Sequence, residues 1–89
     1  MTKLVLNVRI ISPQKELFNG PATSVSSTNS EGKFDILPEH ANFITLVQNS
    51  QITIRTGEGE DLNYTFPLAI IYSSANDVRI YTDLAISEA

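Results

Sequence analysis

The sequence contains no cysteine and no tryptophan, and it has a single histidine, His40. The absence of cysteine excludes disulfide bonds, thiolate metal sites and cysteine nucleophiles. One histidine without carboxylates at ligand spacing argues against a metal site, and we expect no cofactor. No uninterrupted apolar stretch approaches the roughly 20 residues that a membrane span requires, so direct membrane insertion is not expected.

Positive charge is also scarce and scattered. Six lysines and arginines stand against ten acidic residues, which gives a net charge of −4. Binding to nucleic acids or to anionic lipids needs a concentrated basic surface, so neither is an expected partner. With 89 residues, the chain is expected to form one domain over residues 1–89. A domain of this size commits its apolar residues to one core, and little remains to line a deep pocket for a small-molecule substrate.

Apolar and polar residues alternate with a period of two through most of the chain, which is the pattern of short β-strands. In the first third we expect a half-buried strand that ends at Ser12-Pro13, because proline cannot donate to a strand ladder. A short apolar anchor at Leu17-Phe18 is followed by the turn signal Asn19-Gly20-Pro21. Residues 22–29 are small and hydroxylic and are expected to form a polar strand.

The rest of the chain contains the clearest hairpins. Residues 51–56 and 62–66 alternate on either side of a glycine-bearing turn, and residues 69–72 and 78–82 form a second pair. The apolar run Phe43–Val47 predicts a buried strand. The aromatic residues of these strands could form a stacking surface, but their places in alternating strands favour ordinary packing; they are Tyr64, Phe66, Tyr72 and Tyr81. Roughly eight to ten short strands with turns between them predict an all-β sandwich or flattened barrel.

Residues suited to catalysis are few. His40 with Asp35 or Glu39 could form an acid/base pair, which would make the chain a small enzyme. However, the sequence has no Gly-x-Ser-x-Gly motif to expose a nucleophile, so a structured or partner-facing loop is the preferred role for His40. We therefore expect a protein-binding module without catalytic residues.

The segment at residues 30–45 resembles the signature loop of the epsilon subunit of F-type ATP synthases. That family has a Glu-Gly pair, an Ile-Leu-Pro segment, a His-Ala pair and an apolar run into threonine, as does the sequence Ser-Glu-Gly-Lys-Phe-Asp-Ile-Leu-Pro-Glu-His-Ala-Asn-Phe-Ile-Thr. Ser12-Pro13 with residues 17–20 is similar to the family's first strand and turn, and residues 78–86 are similar to the close of its sheet domain. The resemblance covers nearly the whole chain in the same order.

This resemblance implies a ten-stranded β-sandwich at the foot of the rotating central stalk of an ATP synthase. Such a domain holds the gamma subunit and contacts the c-ring, performs no catalysis itself, and serves proton-driven ATP synthesis. It is peripheral, on the cytoplasmic face of the membrane. Carried over by position, Glu31, Gly32 and Lys33 correspond to the c-ring side. Ser12, His40 and Thr45 correspond to the gamma side.

The chain departs from the family pattern at several turns. Asp35, Glu39 and Ser50 stand where glycines are usual, and Asn42 stands where proline is common. A further Gly-Gly pair is replaced by Leu68-Ala69. These differences keep open a divergent, free-standing interaction module outside the synthase.

A second alternative is self-association through an edge strand, for which Val5–Ile11 is the candidate because it carries few blocking charges. The sequence stops where the family's inhibitory helical hairpin would begin, although residues 84–89 could start a helix. Inhibition of ATP hydrolysis and ATP sensing are therefore not expected of this chain.

Overall fold

A computed structural model describes residues 5–39, 41–57, 59 and 61–82. These residues form nine β-strands: β1 (Leu6–Ile11), β2 (Glu16–Ala22), β3 (Ser24–Asn29), β4 (Gly32–Ile36), β5 (Phe43–Val47), β6 (Ser50–Arg55), β7 (Leu62–Phe66), β8 (Ala69–Ser74) and β9 (Asp77–Thr82). The strands make two sheets that pack as a sandwich and do not close into a barrel. Within the described ranges there is no helix, and hence none long and apolar enough to cross a membrane.

Sheet A has five strands in the order β2-β1-β9-β8-β5. The first strand lies between β2 and β9, and its pairing with β9 is parallel, with Asn7 opposite Asp77 and Ile11 opposite Tyr81. The other neighbours in the sheet are antiparallel. The expectation that Val5–Ile11 offers a free edge is therefore wrong, because both sides of β1 are already paired.

Sheet B has four strands in the order β4-β3-β6-β7, all antiparallel. The hairpin predicted between residues 51–56 and 62–66 is confirmed as β6 and β7, and the second predicted hairpin is confirmed as β8 and β9. The polar segment before residue 30 is strand β3, as expected. The side chain of Val25 in this strand points inward and is fully buried in the core.

Alternation along the strands builds a single core between the two sheets. From β1, the inward side chains are Leu6, Val8 and Ile10, all fully buried. The other buried hydrophobic residues of the core are Ala22, Val25, Ile36, Val47, Ile52, Ile54, Phe66, Ala69, Ile71, Val78 and Ile80. A fully buried aliphatic side chain of this kind stabilises the fold by about 1.5–3 kcal/mol relative to an exposed one.

The all-β sandwich predicted from the sequence is confirmed, with three local corrections. Nine strands rather than ten are present in the described part of the chain. Asn19-Gly20-Pro21 does not form a turn but continues edge strand β2, where a proline is tolerated because its missing N–H faces away from the ladder. Phe43–Val47 is an edge strand whose outward side chains, Ile44 and Leu46, are exposed, rather than a strand buried on both faces. The candidate helix start at residues 84–89 lies outside the described residues, as does His40.

Candidate protein-binding surface

The outer face of sheet A carries a contiguous group of exposed apolar side chains. Two rows cross the sheet: Ile44 lies opposite Tyr72, and Leu46 lies opposite Ile70, which lies opposite Tyr81. Their exposure is large, reaching 66% for Ile44 and 47% for Leu46. We call these five residues the outer apolar patch.

The outer apolar patch continues toward one end of the sandwich. A hollow of about 280 Å³ beside it is lined mainly by apolar groups, from Pro13, Leu68, Ile70, Tyr81 and Thr82. Contiguous exposed apolar surface is uncommon on isolated soluble proteins and marks sites of association. The patch is therefore the part of the described surface best suited to binding another protein.

Charged residues occupy the other half of the same sheet face. Arg79 lies opposite Arg9 in the neighbouring strand. Each arginine has its own acidic neighbour, since Arg9 Nε contacts Glu16 Oε2 at 2.7 Å and Arg79 Nε contacts Asp77 Oδ2 at 3.2 Å. Hydrogen bonding with Tyr81, and after it the charge of Asp77, raises the pKa of Arg79 above its ordinary value. Arg79 thus stays cationic and gives the patch one polar corner.

The outer face of sheet B is polar along all four strands. Arg55 Nη1 donates to Ser26 Oγ at 2.7 Å, and Ser26 Oγ in turn donates to Asp35 Oδ1. Asn63 Oδ1 accepts from Gln51 Nε2 at 2.6 Å and from Thr53 Oγ1 at 2.9 Å. These side chains satisfy one another and need no partner, so the two outer faces of the sandwich have opposite character.

The turn predicted for the c-ring side joins β3 to β4. Asn29 pairs with Gly32, and the Asn29 side chain accepts a hydrogen bond from the Glu31 N–H at 2.8 Å. Gly32 has a φ of 119°, a conformation that residues with a side chain rarely adopt. Glu31 and Lys33 are exposed. The turn is consequently a fixed loop that presents one acidic and one basic side chain.

Ser12 occupies a turn between β1 and β2 and is only 5% exposed. Its Oγ accepts hydrogen bonds from the backbone N–H groups of Gln14 and Lys15, at 3.3 Å and 3.1 Å, and donates to the Lys15 carbonyl at 2.9 Å. This hydroxyl therefore organises its own turn. Ser12 follows the C-terminal residue of β1. It therefore lies at the same end of the sandwich as the Glu31 turn.

Thr45 lies in the middle of edge strand β5, with its side chain directed inward. Its Oγ1 accepts a hydrogen bond from Asn29 Nδ2 at 2.9 Å, which links the two sheets. Three strand spacings, or roughly 14 Å, separate β5 from the strand that precedes Ser12. The structure therefore does not bring Ser12 and Thr45 together, whereas the exposed neighbours of Thr45 belong to the outer apolar patch.

Residues 37–42 connect the two sheets. The predicted site residue His40 belongs to this connection in sequence but lies outside the described residues. We call this connection the crossover. Glu39 has a φ of 70°, so this family glycine position does require a left-handed backbone. Asp35 and Ser50, at two other such positions, have no positive φ. Leu37 in the crossover is 52% exposed.

The carboxylates considered for catalysis have other partners. Asp35 accepts from Ser26, and Glu39 Oε2 accepts from Asn76 Nδ2 at 3.1 Å. Among the residues that the structure describes, no three histidine or carboxylate side chains are grouped as metal ligands. Both carboxylates are therefore engaged in hydrogen bonds within the fold.

Sequence reasoning did not find the outer apolar patch. The prediction that the aromatic residues pack inside holds for Tyr64 and Phe66, whose rings stack 6.0 Å apart. It is wrong for Tyr72 and Tyr81, which are about two-fifths exposed. The available signal was the near-continuous apolar character of β5 and β8, which have apolar residues on both faces rather than alternation.

Several curated proteins are similar to this chain in sequence. The chain is 34% identical over 77 residues to the ATP synthase epsilon chain of Xanthomonas euvesicatoria, an alignment that covers 86% of this chain and 55% of the relative. The corresponding chain of Xanthomonas campestris is 32% identical over the same coverage. The chain thus spans about half the length of the curated relatives it matches.

Solved structures with the same fold come from two mitochondrial ATP synthases. A chain of the Euglena gracilis OSCP/F1/c-ring assembly superimposes with a TM-score of 0.84 at 12% identity, over 97% of this chain and 55% of that one. A chain of the Tetrahymena thermophila central stalk and c-ring gives a TM-score of 0.76 at 13% identity, over 94% and 67%. The family model described as ATP synthase, Delta/Epsilon chain, beta-sandwich domain matches residues 5–88. The chain therefore belongs to the ATP synthase delta/epsilon family, through the β-sandwich domain of that family.

Proposed function

We propose that this chain acts as a non-catalytic subunit of the central stalk of an F-type ATP synthase, where it links the gamma subunit to the c-ring. The observation that carries the proposal is the two-sided sandwich: one outer face is apolar and exposed, and the other is polar and internally satisfied. A rotor subunit needs a rigid body with separate contact surfaces and no chemistry of its own. Membership of the delta/epsilon family supports this assignment over a free-standing interaction module.

The gamma subunit is the proposed partner of the outer apolar patch. His40 and Thr45, the positions assigned to the gamma side by the family resemblance, lie in the crossover and in β5. That strand contributes Ile44 and Leu46 to the patch. Thr45 itself faces inward, so its proposed role is to hold β5 against β3 through Asn29 while its neighbours make the contact.

The c-ring is the proposed partner of the turn at Glu31, Gly32 and Lys33. This turn lies at one end of the sandwich, and its fixed geometry keeps the two charged side chains exposed. Ion pairs with a solvent-exposed turn contribute only about 0–1 kcal/mol each. Ser12 lies at the same end, so we assign its turn to the c-ring end rather than to the contact with gamma. The domain would be held peripherally, on the cytoplasmic face of the membrane complex, through these two partners.

The experiment measures binding to the gamma subunit encoded in the same genome, by isothermal calorimetry. Wild-type protein is compared with Leu46→Lys, which places a charge in the outer apolar patch. About half of the Leu46 surface is exposed and available for burial by a partner, so loss of this contact alone costs about 1 kcal/mol, or roughly a fivefold weaker affinity. Desolvation of the new ammonium group adds to that loss.

Thr65→Lys is the matched control, because Thr65 is an exposed position of an edge strand on the polar outer face. We expect this variant to bind gamma as the wild type does. Equal weakening by both substitutions would remove the patch from the interface. Absence of binding by the wild type, with both proteins folded, would favour a divergent module with another partner.

A further inference from the structure

Asn76, from the turn between β8 and β9, clamps the crossover at Glu39. The Glu39 N–H donates to Asn76 Oδ1 at 2.7 Å, and Asn76 Nδ2 donates back to Glu39 Oε2 at 3.1 Å. The Asn76 carbonyl also accepts from the Asn7 N–H at 2.8 Å. The Asn76 side chain therefore holds the crossover at Glu39, and the Asn76 backbone is held to the start of β1.

Both partners of this clamp have left-handed backbones. Glu39 has a φ of 70° and Asn76 a φ of 65°. For Asn76 this is the ordinary conformation of a two-residue hairpin turn, whereas a glutamate holds it only where its surroundings impose it. At Glu39, the hydrogen bonds that hold this conformation are the two exchanged with the Asn76 side chain.

The clamped segment leads directly into the surface assigned to the gamma subunit. It presents the exposed Leu37 on one side of Glu39 and the exposed Ala41 and Asn42 on the other, and it then enters β5 with its outward Ile44. If the crossover sampled several conformations, only the fraction in the binding shape could bind. The apparent dissociation constant would then rise in inverse proportion to that fraction.

We propose that Asn76 is a positioning residue for partner binding, which holds the crossover in the conformation that the gamma subunit recognises. This inference rests on the proposed function. It assigns to Asn76 an effect on affinity without any contact with the partner. Asn76 orders the crossover before binding. The conformational entropy of the crossover is therefore not lost when the complex forms, and the affinity is higher.

The test exchanges donor and acceptor between the two side chains. In Asn76→Asp the side chain still accepts from the Glu39 N–H but can no longer donate, and its charge repels the Glu39 carboxylate. In Glu39→Gln the new amide oxygen still accepts from Asn76. In the double variant, the backbone N–H of residue 39 still donates to the aspartate, and the amide of the glutamine donates to the same carboxylate, so the side-chain hydrogen bond is restored in the reverse sense.

We expect Asn76→Asp to bind the gamma subunit roughly tenfold more weakly than the wild type, mainly through a slower association rate. Glu39→Gln and the double variant should bind as the wild type does. Asn63→Asp is the matched control, because it makes the same change on the polar face, where Asn63 only accepts hydrogen bonds. Asn76→Gly preserves the turn, since glycine accepts its φ, yet removes the clamp, and it should also weaken binding roughly tenfold.

Unfolding curves measured in parallel separate positioning from stability. A purely structural role would lower the unfolding midpoint of Asn76→Asp but leave the affinity of the folded protein unchanged, and that result would overturn the inference. Failure of the double variant to recover affinity would overturn it as well. Both outcomes leave wild-type binding intact, whereas failure of the proposed function would show as a wild-type protein that does not bind gamma.

Discussion

The turn between β8 and β9 contains an alanine in an unfavourable conformation, and its replacement should stabilise the protein. Ser74 pairs with Asp77 across a two-residue connection, and Ala75 and Asn76 have φ values of 52° and 65°. Positive φ at both central residues defines a type I′ turn, which favours asparagine or glycine. Ala75→Gly removes a left-handed penalty of about 1–2 kcal/mol. It adds an entropic cost of about 0.5–1 kcal/mol.

The net gain in the free energy of unfolding should therefore be about 0.5–1 kcal/mol, or a rise in the melting temperature of about 3–6 °C. Urea denaturation at 25 °C and thermal melting, both followed by circular dichroism, measure these quantities. Ala69→Gly is the matched control, because Ala69 is buried in β8 without a positive φ. The control should lose about 1.5 kcal/mol, through strand entropy and a lost methyl group. If Ala75→Gly instead lowered stability as Ala69→Gly does, the strain assigned to this turn would be wrong.

Two further substitutions test the other turns. Gly32→Ala should lower the free energy of unfolding by about 0.5–1 kcal/mol, because a left-handed penalty of about 1–2 kcal/mol is partly offset by the smaller backbone entropy loss of alanine, and no atom beyond the neighbouring residues lies within 4 Å of the added methyl group; an unchanged urea midpoint would contradict this. Ser12→Ala should cost about 1–2 kcal/mol, because two backbone N–H groups lose their acceptor. Hydrogen exchange should then accelerate at residues 14 and 15, and affinity for the gamma subunit should stay the same; weaker gamma binding by folded protein would return Ser12 to the gamma side.

Local sequence patterns predicted the elements that form between neighbouring segments of the chain. The hairpins β6–β7 and β8–β9 could be found because each pairs neighbouring segments through a short turn. The interior position of β1 could not be predicted, because its parallel partner β9 lies at the other end of the sequence and no local pattern records that pairing. The assignment of Asn19-Gly20-Pro21 as a turn failed for a related reason, since only the place of β2 at the sheet edge makes proline acceptable there.

In the candidate site, too, features set by local residues could be predicted and features set by distant parts of the chain could not. The turn at Gly32 and the left-handed position at Glu39 follow from residue preferences and from the family pattern of glycines. By contrast, an apolar run such as Phe43–Val47 indicates that its side chains are covered, but it does not show whether the core or a partner covers them. In the isolated chain β5 is an edge strand, so Ile44 and Leu46 are exposed, and a partner rather than the core is available to cover them.

The parallel pairing of β1 with β9 has a consequence for how the chain folds. Asn7 lies opposite Asp77, so the middle of sheet A cannot form until about 70 intervening residues have been synthesised. Before that point β1 can pair only with β2, while β8 and β5 remain a separate pair. Pairings this distant in sequence slow folding, typically to milliseconds or longer. On the ribosome, sheet B could assemble from its own hairpins first, and the emergence of β9 would then join the two halves of sheet A in one cooperative step.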